Sequence, residues 1–221
     1  NMTRMYIALG DTARIAEIYA PMLANPSVWG ESTLLQAGVT ATRYNRNADA
    51  VRLFEAALQN NPYQRDALNN LAASYINAQQ FEKVPALVNR LLALDPNNPD
   101  NVLMYGYLYS GLLKAAKTAK DRKLYTDSLV YYSGKAEKMP MKVSFTEFSR
   151  GDSEVVLAGE VENRGKTSRP FDVYFEFIDK TGKVVASQQT TVGPIAPKGK
   201  QTFRVSVQAK DVAGYRYRPI T

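Results

Sequence analysis

The chain contains no cysteine and no histidine. Without thiols there is no disulfide framework and no cysteine nucleophile. Without imidazole the commonest general base and the commonest zinc or copper ligand are gone. Long apolar runs are missing too. Nothing approaches the roughly 20 residues of a membrane-spanning helix, and no charged-then-apolar leader opens the chain at Asn1, so it reads as a soluble chain with no transmembrane segment. There is no glycine-rich phosphate loop, no serine nucleophile elbow and no carboxylate cluster at metal-ligand spacing. Glu160 and Glu162 share a strand face, but alternation with Val161 is what a solvated strand face gives anyway. The expectation is a protein that is not an enzyme, with no catalytic residues, no cofactor and no metal.

What is present suffices for two domains: 221 residues, 45% hydrophobic and 22% charged. The net charge of +7 divides at Pro140 into +3 before and +4 after. A nucleic-acid surface needs basic side chains gathered on one face with aromatics placed for stacking. The nearest candidate, Lys114, Lys117, Lys120, Arg122 and Lys123, also carries Asp121 and Asp127 and reads as a solvated helix face. No nucleic-acid partner is expected, although the basicity favours acidic partners.

Internal periodicity organises the first half. Asn61-Pro62-Tyr63 and Asp95-Pro96-Asn97 place their prolines 34 residues apart. In that register Leu34, Ala37, Gly38, Ala41, Ala50, Phe54 and Ala57 fall opposite Leu68, Leu71, Ala72, Tyr75, Val84, Val88 and Leu91, and every pair is apolar or small. Small residues let the first helix of a hairpin approach the second, larger ones fill the space beside them, and proline ends the second helix. Residues 31–98 resemble two consecutive tetratricopeptide repeats, with the family's tyrosine at Tyr75 and its small residue at Ala50. A third unit begins near Pro99, with Val102, Tyr105, Gly106 and Tyr109 on the pattern. Its closing Pro140 comes 44 residues after Pro96, which predicts a hairpin lengthened around Lys114 to Tyr125. Upstream, Gly10-Asp11 resembles the family's inter-helix turn, followed by Ile15, Ile18, Tyr19 and Met22 at helical spacing. Asn1 to Gly10 then resembles the first helix of an initial repeat.

After Met139-Pro140-Met141 the period becomes two. Val143 and Phe145, then Val155 to Val161, Phe171 to Phe177, Val184 and Ala186, and Phe203 to Val207 each recur at alternate positions and predict strands with one buried face. Turns are expected at Asn163-Arg164-Gly165, Asp179 to Gly182 and Pro194 to Gly199. Six or seven such strands suggest an immunoglobulin-like sandwich. Residues 154–208 also resemble the bacterial FxLYD family: Gly159-Glu160-Val161-Glu162-Asn163, then Phe175-Glu176-Phe177-Ile178-Asp179 on the name motif with Phe for Leu and Ile for Tyr, then Ile195 to Phe203 as its Pro-Gly loop. That resemblance implies a small non-catalytic β-sandwich of bacterial envelope or secreted proteins.

The fold class is therefore an α + β multidomain architecture. An all-α tetratricopeptide-type solenoid is expected over residues 1–140, with hairpins at about 1–28, 31–64, 65–98 and 99–140, followed by an all-β immunoglobulin-like sandwich over 141–221. The repeat resemblance implies a concave groove lined by Ser32, Leu35, Gln36, Val39 and Arg43, by Asp66, Asn69, Asn70, Ala73 and Asn77, and by Asp100, Leu103, Tyr107 and Gly111. The family's carboxylate clamp finds only Asn70, so capture of an acidic C-terminal tail by that route is not expected. Arg43, Asn69, Asn70, Asn77 and Tyr107 are the candidate partner-binding residues. Asn69 and Asn70 read first as plain exposed helix polars, and Tyr107 equally suits a shield over the seam between repeats. The expected function is a scaffold module that binds a protein or peptide segment. The alternatives are a self-assembling, homo-oligomeric envelope structural protein and, third, a hydrolase acting on envelope polysaccharide. The implied location is the bacterial periplasm or cell envelope.

Overall fold

The computed structural model describes residues 12–220, so the helix expected over Asn1 to Gly10 lies outside the described residues, as does the Ile15 side chain. Among the described residues seven α-helices precede six antiparallel strands: α1 (Thr12–Ala24), α2 (Glu31–Arg43), α3 (Asn47–Asn60), α4 (Arg65–Asn77), α5 (Val84–Leu94), α6 (Pro99–Ala115), α7 (Ala119–Glu137), β1 (Met141–Arg150), β2 (Glu154–Asn163), β3 (Arg169–Ile178), β4 (Val184–Ile195), β5 (Lys200–Gln208) and β6 (Gly214–Tyr217). Two compact units divide within α5, one ending at Leu87 and the other starting at Val88.

In the first unit, α2 and α3 form a hairpin closed by one close approach. Gly38 lies under the Phe54 ring, where an added Cβ would stand 2.5 Å from a ring carbon. Ala50, Leu53, Phe54 and Ala57 are fully buried. The turn after α2 satisfies its last carbonyls in a Schellman arrangement: Asn45 N–H donates to Thr42 O and Arg46 N–H to Ala41 O, with Asn45 left-handed at φ 58°. The same two bonds recur 34 residues on, from Gln79 N–H to Ile76 O and from Gln80 N–H to Tyr75 O, with Gln79 also at φ 58°. Helix starts repeat in step. Gln64 accepts from Ala67 N–H, and Asn98, 34 residues later, accepts from Asp100 N–H. The linker between α1 and α2 is held by Asn60, whose amide donates to Pro26 O at 2.9 Å and Trp29 O at 2.6 Å.

In the second unit, the Asn101 amide donates to Leu91 O and Asp95 O, satisfying the carbonyl end of α5. The hairpin of α6 and α7 takes its extra residues into both helices, which run to 17 and 19 residues. Tyr105 and Tyr109 on α6 stack on Tyr132 of α7 at 4.7 and 5.6 Å between centroids.

The strands make two three-stranded sheets, β1-β2-β5 and β4-β3-β6, that share one apolar core. Most strands bury alternate side chains: Val155, Leu157 and Val161 on β2, Phe171, Val173, Phe175 and Phe177 on β3, Phe203 and Val205 on β5. A bulge between Phe145 and Glu147 lets Phe145 and Phe148, three residues apart, both reach the Tyr215 ring. Gly159 is required where it stands, because a Cβ would collide with the Ser144 carbonyl and the Phe203 ring.

Two buried asparagines tie strand ends together. Asn163 donates from its amide to Ile195 O at 2.7 Å and Thr167 O at 2.8 Å, and accepts from Gly165 N–H at 2.9 Å. Asn97 exchanges side-chain bonds with the Ile220 backbone at 3.0 and 2.8 Å, while its own N–H donates to the Tyr217 hydroxyl. Val143 N–H donates to Asn97 O, and Arg164 reaches Ala136 O. The change of period expected at Pro140 is a change of secondary structure, whereas compactness divides the chain at Leu87/Val88. These bonds knit the last helical hairpin and the strands into one unit.

Two strand expectations are corrected. Val184, expected on a buried face, is 39% exposed and its neighbour Val185 37%, so the start of β4 buries neither face. β4 also runs on to Ile195, burying Val192 and Ile195, so the expected turn starts later. β6 brings the strands to six, within the six or seven expected, although its four residues are too short a run to declare a period.

Candidate protein-binding face

On α2, Ser32, Gln36, Val39 and Arg43 follow spacings of three and four and so share one side, with Arg43 exposed in the last turn. Leu35, expected beside them, is instead 5% exposed and belongs to the core. On α4, which touches α2, the side carrying Asp66, Asn69, Asn70, Ala73 and Asn77 is built by the same spacing. Asn69 and Asn70 are half-buried and Asn77 lies at the helix end. The Asn70 amide donates to Asp66 O one turn back at 2.7 Å. Beneath this side, Leu68, Leu71, Ala72 and Tyr75 are buried, which fixes the orientation of the polar residues above.

The Tyr75 hydroxyl donates to the Glu55 carboxylate, and Lys83 lies 4.8 Å over the Tyr75 ring. Burial first, and then the Glu55 carboxylate, push the phenol above its ordinary value, so it stays protonated and a donor.

In the second unit, Tyr107 projects from α6 and is 58% exposed, whereas Tyr105 and Tyr109 pack in the tyrosine stack. The Tyr105 hydroxyl donates to Asn89 at 2.7 Å, and burial with the neighbouring Tyr132 raises its pKa. Leu103 and Gly111 are half-buried. Asp100, expected in the groove, pairs with Lys142 of β1 at 2.7 Å, so its carboxylate is already engaged.

Among the described residues no group of three His, Cys, Asp or Glu is placed to hold a metal ion. No helix among them is long and apolar enough to cross a membrane.

Sequence reasoning missed the outer face of α7, where Leu124, Val130 and Tyr131 are all more than half exposed. The signal is there on a helical wheel: Leu124 and Tyr131, seven residues apart, flank the stacked tyrosines, and Val130 falls nearer the far side.

The chain is similar to several solved structures. A thermophilic TPR protein from Thermus thermophilus aligns at 24% identity over 50% of this chain and 57% of its own, with a TM-score of 0.46. The chain thus spans little more than half the length of that protein. A tetratricopeptide repeat protein of Parabacteroides merdae aligns at 18% identity over 62% of this chain and 61% of its own, with a TM-score of 0.40. A DUF1425 family member from Shewanella aligns at 9% identity over 37% of this chain and 76% of its own, with a TM-score of 0.30. No curated protein matches the sequence. Over residues 41–109, from the end of α2 to the middle of α6, the chain matches the tetratricopeptide repeat family.

Proposed function

We propose that the chain is a non-enzymatic protein–protein interaction module that holds a segment of another protein against the exposed sides of α2 and α4, with Tyr107 of the second unit as a separate contact. Tetratricopeptide repeats imply protein partners, and the match covers α3 to α5 whole. The observation that carries the reading is the polar side of α4. Asn70 and Asn77, two turns apart, stand in line with Asn69 beside Asn70, on a helix whose opposite side is buried, so they are presented on a rigid support. Amides in such a row recognise an extended backbone through paired donors and acceptors at little entropic cost. Tyr107 adds rigid contact area with a polar tip.

Residues 141–221 are read as an immunoglobulin-like sandwich of the FxLYD type, accessory to the helical part. The support is local. Asn163 joins two of the segments that carry the resemblance by bonding Ile195 O, and Asp179 at the end of the name motif accepts from Thr181 N–H at 2.8 Å and Lys183 N–H at 3.1 Å. A periplasmic or envelope location in a bacterium follows from that reading and is checked by fractionating cells that express the chain with its native flanking sequence.

The test of the groove is affinity capture under cross-linking with the full chain and with an Arg43→Ala, Asn77→Ala variant. The expected result is a protein captured by the native chain and lost with the variant, while the variant keeps its thermal transition. Equal capture by both would overturn the groove as the site.

A further inference from the structure

The outer face of α7 has no part in that function. α7 is the longest described helix, and Ala136 is its one fully buried residue. Its inner side is closed by Tyr125 and Tyr132 against the α6 tyrosines. Away from the stack, Leu124 and Tyr131 are 56% and 61% exposed, and Val130, further round the helix, is 66% exposed. Leu124 and Tyr131, two turns apart, form a short ridge, and Gly134 lies beyond it with nothing within 4 Å of where its Cβ would be. A residue that disfavours helix thus sits on an open surface with no packing reason for it.

Charge makes this face specific. Residues 114–138 hold seven Lys and Arg against three Asp and Glu, whereas residues 1–113 hold eight against nine. Two of the three acids are locally engaged: Asp127 pairs with Lys123 at 2.8 Å, and Asp121 bonds the Thr118 hydroxyl at 2.8 Å. The whole positive surplus of the helical part therefore falls within residues 114–138, with Lys120, Lys135 and Lys138 on the side of the ridge.

We propose that the outer face of α7 docks an acidic amphipathic helix of a partner protein. A helix presents side-chain ridges at spacings of three and four, which fit a ridge of Leu124 and Tyr131 beside an open glycine. Acidic residues along its flanks meet Lys120, Lys135 and Lys138. A membrane surface suits the face less well. Asp127 lies between Leu124 and Tyr131 along the helix, and α7 carries no Trp or Phe to anchor in the headgroup region. Two copies paired through α7 would bring like charge against like charge.

The test uses the full chain and a fluorescein-labelled helical peptide of about 20 residues, with leucine at core heptad positions and glutamate elsewhere, long enough to span α7. A scrambled peptide of the same composition is the control. The amphipathic peptide should bind, the scrambled one should not, and Tyr131→Ser or Lys120→Glu should each weaken binding about tenfold or more. Lys210→Glu, the same charge change in the turn before β6, should leave binding unchanged. Leu124→Ser serves as a second ridge variant, since Tyr131 also touches the Tyr132 ring at 5.1 Å. Absence of binding, equal binding of the scrambled peptide, or indifference to both ridge variants would overturn the proposal. So would stronger association with phosphatidylglycerol vesicles, with duplex DNA or with a second copy of the chain.

Discussion

The two compact units close their interiors by different means. The first relies mainly on apolar fit, with Phe54 over Gly38 and alanines filling the gaps, and buries one asparagine, Asn61, at the end of α3, where it accepts from Tyr63 N–H and donates to Glu31. The second combines a ring cluster, Phe145, Phe175, Phe203 and Tyr215, with buried asparagines at strand and helix ends. The difference follows from backbone bonding. A helix satisfies its own amides except in its terminal turns, which the repeated caps here take care of, so its core needs only complementary shape. Strands that switch between two sheets leave loop ends with buried N–H and C=O groups, and these need partners with both donors and acceptors. Asparagine is the smallest amide side chain that offers both.

Four substitutions test this contrast. Phe54→Ala empties the first unit's central contact and should lower stability by about 4 kcal/mol, read by denaturant unfolding. Asn163→Ala leaves Ile195 O, Thr167 O and Gly165 N–H without their partner and should cost about 3 kcal/mol. A loss well below about 1 kcal/mol would show that water replaces the side chain and would weaken the comparison.

Glu176 on β3 pairs with Arg216 at 2.7 Å and with Arg218 at 3.1 Å, and these guanidiniums hold its carboxyl below the ordinary carboxylate value. A lowered folded pKa contributes stability above the unfolded value near 4.5, and that contribution is lost as pH falls through the folded pKa. Glu176→Gln should therefore cost about 1 kcal/mol at neutral pH, with the two proteins converging in acid. The smallest effect is of opposite sign. Gln79 holds a left-handed φ of 58°, and Gln79→Gly should stabilise by about 0.5 kcal/mol, seen as a slightly higher Tm.

Much of the helical half was legible because its signals are local and repeat. The 34-residue spacing marks the hairpins, and the caps and left-handed turns at Asn45 and Gln79 keep the same spacing. The strands of residues 154–178 were legible for a similar reason: one face is wholly buried, so alternation is strict. Alternation fails at the start of β4, where Val184 and Val185 are both exposed, and at β6, which is too short to show a period. The candidate site was legible only as a set of positions on helix faces. Helical spacing points Leu35 outward, yet it is buried, and it leaves Asp100 available, yet Lys142 holds it. The concentration of charge at residues 114–138 stays hidden when charge is summed over halves of the chain.

The sequence by itself determined the order of helices and strands, the register of the repeats and the inward side of most elements. Those depend on interactions within a few residues or on a period that a buried face imposes. Only the tertiary structure decided that Asn97 meets Ile220 and that Asn163 meets Ile195. It also decided that the compact units part inside α5 and that α7 keeps an uncovered face. The asparagine pairings join residues 123 and 32 positions apart. An asparagine gives no local sign of a distant partner, so such pairings become visible only when the chain has folded.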